Sequence, residues 1–277
     1  MYGVVTRNAD EVSRQAFDRA FYEVKDVTGR TADPVPGSTS MISCFGDNRA
    51  AERDPDLVPL SDEGERATRA VTYFDWSYVC PNDRDYRAAL LDRIEAAASV
   101  TTDLRLDDIG FPRPEYCHCE RCERAFAGSE VEDWWDWRAD VITGFVRDAS
   151  ERIPGTVSMT LYPDPYPGHL RERAGIDPAA LGPYVDEFVV PLYDMAYETT
   201  YWIEVIARGF QDLLPRPFSV ELYAVNVDHD DLVHAATVAR AHAESVLFAY
   251  DADAASAVVE ELDAEESVAE GDASGDR

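Results

Sequence analysis

The chain has 277 residues, of which 45% are hydrophobic and 11% aromatic, enough apolar surface for one sizeable core. Its 55 acidic residues against 25 basic ones give a formal net charge of −30. This disfavours nucleic acid as a partner, because that binding needs clustered bases. No stretch approaches the ~18 consecutive apolar residues of a membrane span, and the opening MYGVVTRNAD is charged too early for a secretory leader.

Strands are expected at residues 2–6, 40–45, 69–76, 104–108, 157–162, 187–193, 218–223 and 245–250, each rich in Val, Ile, Phe, Tyr or Leu. Helical spacing of apolar side chains fills the gaps. It appears at residues 9–27 (Val12, Phe17, Ala20, Phe21, Val24), 83–98 (Tyr86, Leu90, Leu91, Ile94) and 131–153 (Trp134, Trp135, Ile142, Phe145). It returns at 199–214, 230–244 and 252–262, with a short helix expected within 174–181 and a long loop over 46–62. Eight strand–helix units predict an α/β chain built as a single (β/α)8 TIM barrel over residues 1–262. A doubly wound open sheet is the second choice, weakened because no glycine-rich phosphate loop follows any strand. The acidic end at 263–277 has little to bury and is expected to be disordered.

Lys25 is the one lysine, and every other base is arginine. An acidic surface almost free of lysine suits a halophilic protein in a salt-loaded cytoplasm, where screening removes the self-repulsion. A cationic partner for an acidic face is the alternative.

Of five cysteines, three fall in EYCHCERC as Cys117, Cys119 and Cys122. This is the spacing of metal ligands rather than of a disulfide framework. Cys80, after the expected third strand, is placed to supply a fourth thiolate, with Cys44 one loop further away. Four thiolates leave no open coordination position, so the site would be structural zinc pinning two loops. Reduced thiols without metal are the alternative.

Alternation places Arg105 and Asp107 on the inward face of the fourth strand, with Asp108 at its end, and Glu221 on the inward face of the seventh. Carboxylates facing each other across a barrel mouth are what glycoside hydrolysis needs: one proton donor, and one nucleophile or base. Asp107, Asp108 and Glu221 are therefore the catalytic candidates. An Arg105–Asp107 structural pair is the plainer alternative. Trp76, Tyr162, Tyr193, Asp194, Tyr223 and Tyr250, at expected strand ends, would stack on sugar rings and bind hydroxyls beside Arg105. Asp75, Asp164 and Asp251 complete a recurring aromatic–Asp ending. Among the histidines His118, His169, His229, His234 and His242, only His229 stands near a strand end, which leaves a metal-dependent amidohydrolase without its ligands.

The phrase LDDIGFPRPEYCHCERCERAF, with WSYVCPNDRDYRAALL upstream, resembles (β/α)8 glycoside hydrolases over roughly residues 72–126. The cysteine pattern is similar to the structural zinc cluster of family 42 β-galactosidases, which implies Cys80, Cys117, Cys119 and Cys122 as ligands. In the large retaining clan of barrel glycosidases, the catalytic pair ends strands four and seven. Glu221 matches the second position, whereas Asp107-Asp108 stands where that clan has Asn-Glu. Arg105-x-Asp107 also resembles the Arg-x-Asp of α-amylase-type barrels, whose Asp is the nucleophile, but Tyr162-Pro163-Asp164 replaces their fifth-strand Glu. The resemblance implies a glycosidase acting on carbohydrate. The alternative is a barrel that binds sugar without turnover.

Overall fold

The computed structural model describes residues 1–274, with side chains to residue 264. Eight parallel strands close in sequential order: β1 (Tyr2–Thr6), β2 (Arg19–Lys25), β3 (Thr39–Ser43), β4 (Leu104–Asp107), β5 (Val157–Thr160), β6 (Glu187–Pro191), β7 (Phe218–Tyr223) and β8 (Ser245–Ala249). The connections carry α1 (Asn48–Arg53), α2 (Arg84–Thr101), α3 (Glu120–Ala127), α4 (Trp134–Ser150), α5 (His169–Ala174), α6 (Pro178–Leu181), α7 (Tyr201–Leu213), α8 (His229–Arg240) and α9 (Ala252–Ser274). The chain is a closed (β/α)8 barrel, as the strand count predicts. Helix α9 continues through Ser274 into residues 263–277, the stretch expected to be disordered; residues 275–277 lie outside the described residues.

Two expected elements are not there. Residues 9–27 hold a short 3-10 turn, Ala9–Glu11, and then β2, not a helix. A barrel strand is buried on both faces and so reads as a continuous apolar run. Ala20, Tyr22 and Val24 face the helices while Phe21 and Glu23 face inward, and the helical spacing was incidental. Residues 69–76 are not a strand either. The Val71 and Phe74 amides donate to the Thr68 and Val71 carbonyls at 2.9 and 3.0 Å, which makes successive turns. One missing and one unforeseen strand leave the total at eight.

The barrel interior is layered. Near its N-terminal end, Arg19 grips Glu187 at 2.7 and 2.6 Å, with Ser219 and Ser245 bonded to the same guanidinium. An apolar layer follows, of Val5, Phe21, Met41, Val189, Leu247 and Ala249. Above it, at the C-terminal mouth, stand Glu23, Arg105, Thr160 and Glu221. The main core lies between strands and helices. Asp83 caps α2 by accepting from the Tyr86 amide at 2.9 Å, and α2 then buries Leu90, Leu91 and Ile94. Asp133 does the same for α4, which buries Trp137, Ile142, Phe145 and Val146.

Candidate functional site

The C-terminal mouth holds a cleft of about 470 Å³, a size typical of small-molecule sites. Register places its charged groups. Arg105 pairs with Met41 and Asp107 with Ser43 across β3–β4, and Glu221 pairs with Leu247 across β7–β8. Arg105, Asp107 and Glu221 therefore all come inward at the top of the barrel.

Arg105 is the hub. Fully buried, it donates to Glu221 through Nη1 and to Thr160 Oγ1 through Nε at 2.8 Å, and it lies 3.9 Å from Asp107. Its guanidinium also sits over the Phe21 ring at 5.6 Å. Glu221 is 1% exposed, and its second oxygen accepts from the Tyr193 hydroxyl. Tyr193 is itself 45% exposed, and its hydroxyl, turned in against the buried Glu221 carboxylate, is held above its usual range by the desolvated setting and that charge.

Asp108 follows at the strand end in a left-handed conformation, φ 50°, which Asp tolerates better than most residues. It is deeply seated but keeps some surface in the cleft. Burial and the charge of Asp107 push its carboxyl up to about 8, against the opposing pull of a Ser43 hydrogen bond and of Lys25. A carboxyl shifted in this direction is harder to ionise than an ordinary aspartate.

Glu23 is not among the expected site residues, because the helical spacing of residues 9–27 conceals β2. Glu23 is buried, ion-paired with Arg7, and accepts from the Tyr250 hydroxyl at 2.9 Å. Burial raises its carboxyl despite Arg7. Arg7, Glu23, Asp26 and Thr160 line the cleft with the expected residues. The signal available was one acidic residue, Glu23, inside the otherwise apolar run from Ala20 to Val24.

Of the expected sugar-contacting residues, Arg105, Trp76, Tyr162, Tyr193 and Tyr250 line the cleft. Trp76 reaches it from the long β3–α2 loop rather than from a strand. Tyr223 is not part of the lining, but its ring bridges Tyr193 and Tyr250, with centroids 5.5 and 6.4 Å away. Asp194 is not in the lining either. Asp164, Asp194 and Asp251 accept from the amides of Tyr166, Ala196 and Ala254 at 3.1, 3.3 and 3.0 Å. Their recurrence after aromatic residues is turn and cap chemistry. Only Asp75 of that series lines the cleft. No histidine lines it. His229 opens α8 and pairs with Glu261 at 2.7 Å.

Beside the cleft, the ligand atoms of Cys80, Cys117, Cys119 and Cys122 lie within 4.8 Å of one another, all four buried. Cys80 Sγ is 3.3 Å from Cys122 Sγ and 3.8 Å from Cys119 Sγ. Cys44 is elsewhere, its thiol donating to the Ile42 carbonyl at 3.4 Å. Two loops meet here. The His118 amide donates to the Leu60 carbonyl at 2.7 Å, and Asp62 donates to Glu115 at 3.1 Å. The His118 ring stacks on Trp134, centroids 4.8 Å apart. Four soft donors at this spacing suit a metal ion held tetrahedrally. Arg138, fully buried and unforeseen from sequence, braces the same corner. It donates to the Arg113, Glu172 and Arg173 carbonyls at 2.9, 2.6 and 2.9 Å, with Phe111 and Trp135 rings 4.6 and 5.0 Å from its guanidinium carbon.

No protein-family model and no curated protein matches the chain. Solved structures do. An α-L-fucosidase, isoenzyme 2 from Paenibacillus thiaminolyticus, superposes with a TM-score of 0.63 at 12% identity, over 96% of this chain and 49% of that one. An exo-β-N-acetylglucosaminidase from Vibrio harveyi gives 0.53 at 8% identity, over 93% and 53%. The chain spans about half the length of each. At such identities the likeness is one of fold: both are glycoside hydrolases on a (β/α)8 barrel.

Proposed function

We propose that the chain is a glycosidase-like hydrolase acting on carbohydrate by a two-carboxylate mechanism. The observation that carries this reading is geometric: Asp107, Asp108 and the ion-paired Glu221 line one cleft at the barrel mouth. Asp108 would donate its proton to the glycosidic oxygen. Glu221 would act at the anomeric carbon, as nucleophile or through a water. Arg105 and Tyr193 hold Glu221 in place, and burial and the charge of Asp107 disfavour ionisation of Asp108. The aromatic wall of Trp76, Tyr162, Tyr193 and Tyr250 would stack on the sugar. The Cys80, Cys117, Cys119 and Cys122 cluster would hold a structural zinc that ties the loop bearing Trp76 to the end of β4, in keeping with the resemblance to family 42. The acidic, lysine-poor composition supports a halophilic protein working in a salt-rich cytoplasm.

The test is release of reducing sugar from a panel of oligo- and polysaccharides in molar KCl. Loss of turnover in both Glu221→Gln and Asp108→Asn, with folding intact, is the expected result. One observation favours the second reading, a barrel that binds sugar without turnover: both Glu221 oxygens are engaged and the side chain is closed to solvent. Sugar binding by folded wild type without turnover on the whole panel would establish that reading instead.

A further inference from the structure

A second cavity, of about 360 Å³, opens between the β2–β3 loop, α1 and α2. Its lining is anomalous for a chain of net charge −30: Lys25, Arg49, Arg53 and Arg93 against the single carboxylate of Asp47. Lys25 and Asp47 are spoken for. They pair at 3.3 Å, Lys25 Nζ donates to the Ser43 and Gly46 carbonyls at 2.7 and 3.1 Å, and Asp47 accepts from the Ala50 amide and the Tyr86 hydroxyl. Arg49, Arg53 and Arg93 are different. All three are exposed, and none forms an ion pair or hydrogen bond with any described residue. In a protein where carboxylates outnumber bases more than two to one, three unpaired arginines lining one cavity need a reason.

The cavity is also shaped from the backbone. Gly29 takes φ +82°, and a Cβ there would meet Arg49 Cβ at 2.6 Å and Asp47 Oδ1 at 2.7 Å. The loop therefore closes against α1 only because residue 29 is glycine. Ala50, Ala89, Leu90 and the Tyr86 ring supply an apolar wall.

We propose that this cavity binds a tetrahedral oxyanion, phosphate or sulfate, carried as an ester on a small molecule. Guanidinium forks match such oxygens in pairs, and that contact geometry survives salt that screens long-range attraction. The volume exceeds what a bare ion fills and falls in the range of small-molecule sites, and the apolar wall gives the rest of the ester a surface. The site is separate from the catalytic cleft, so it stands whether or not the chain is a glycosidase.

The experiment is thermal melting and calorimetric titration of the full chain with inorganic phosphate and with a hexose phosphate. Both are compared with KCl at matched ionic strength, for wild type and for the triple variant Arg49→Gln, Arg53→Gln, Arg93→Gln. Wild type is expected to melt higher with the hexose phosphate than in KCl alone, and to bind it at least tenfold more tightly than the triple variant does. The variant's own melting in KCl should stay close to wild type, since all three side chains are exposed. Arg93→Gln alone, on the surface of α2, serves if the triple variant misfolds. Tighter binding of the ester than of inorganic phosphate establishes the ester. Equal binding of the two overturns it in favour of a free-anion site. No response beyond KCl, or the same response in wild type and variants, overturns the site itself.

Discussion

Replacing Asp108 with Asn should make the protein more stable in alkali and leave it little changed in acid. The folded carboxyl stands at about 8 against an ordinary 3.8. Between those values the unfolded chain releases a proton that the native chain keeps. Stability then falls as pH rises through that window and levels off above about 8. The gap is worth about 6 kcal/mol as a ceiling, at about 1.4 kcal/mol per pH unit. Solvent reaching the cleft face of Asp108 reduces the expected penalty to about 2 kcal/mol at alkaline pH. Asn cannot ionise, keeps the shape and tolerates the left-handed backbone at φ 50°. It should forfeit only about 1 kcal/mol of hydrogen bonding with Ser43. Guanidinium unfolding in KCl, repeated from acid to alkali, measures the difference directly. Asn should exceed wild type by about 1 kcal/mol or more near pH 9 and lose that advantage toward pH 4. A wild-type-minus-variant difference that stays flat across this range would refute the reasoning.

The same proton sets an activity limit: turnover on any active glycoside should fall as pH rises through about 8, and a profile flat to pH 10 would remove Asp108 as the donor. Arg105→Met should cost about 3–5 kcal/mol in chemical denaturation, because it leaves Glu221 buried and uncompensated, and adding Glu221→Gln should restore much of that loss. Elemental analysis should find one zinc per chain, and stripping it with a strong chelator, or making Cys122→Ser, should lower the melting temperature by several degrees or more; metal-free protein that melts like wild type would exclude the zinc staple. Arg138→Leu should destabilise by about 3 kcal/mol, since the Arg113 carbonyl and two carbonyls at the end of α5 lose their buried donor, measured by the same unfolding curves.

How much was legible follows from what each signal depended on. Alternation within a short strand is local, so the inward direction of Arg105, Asp107 and Glu221 could be read directly, as could the grouping of Cys80 with the CxCxxC loop once two neighbouring loops were assumed. β2 was hidden because Ala20, Phe21 and Tyr22 are all apolar. A strand covered on both faces loses its alternation, and Glu23 vanished with it. Residues 69–76 erred the other way: Val71, Tyr73, Phe74 and Trp76 have strand propensity, but packing over the mouth folds them into turns. The role of Arg138 depends on carbonyls of the Arg113 loop and of the last turn of α5, far away in sequence, and no local pattern announces such partners.

Lys25, buried at 5% exposure inside the wall between cleft and side cavity, has a practical consequence. It carries the only side-chain amine of the chain. Amine-directed chemistry, whether a laboratory crosslinker, a fluorophore ester or enzymatic acylation, therefore finds no lysine on the folded surface. Modification of Lys25 becomes a clock for opening of the β2–β3 corner, readable by mass spectrometry at one residue against a background of arginines that do not react.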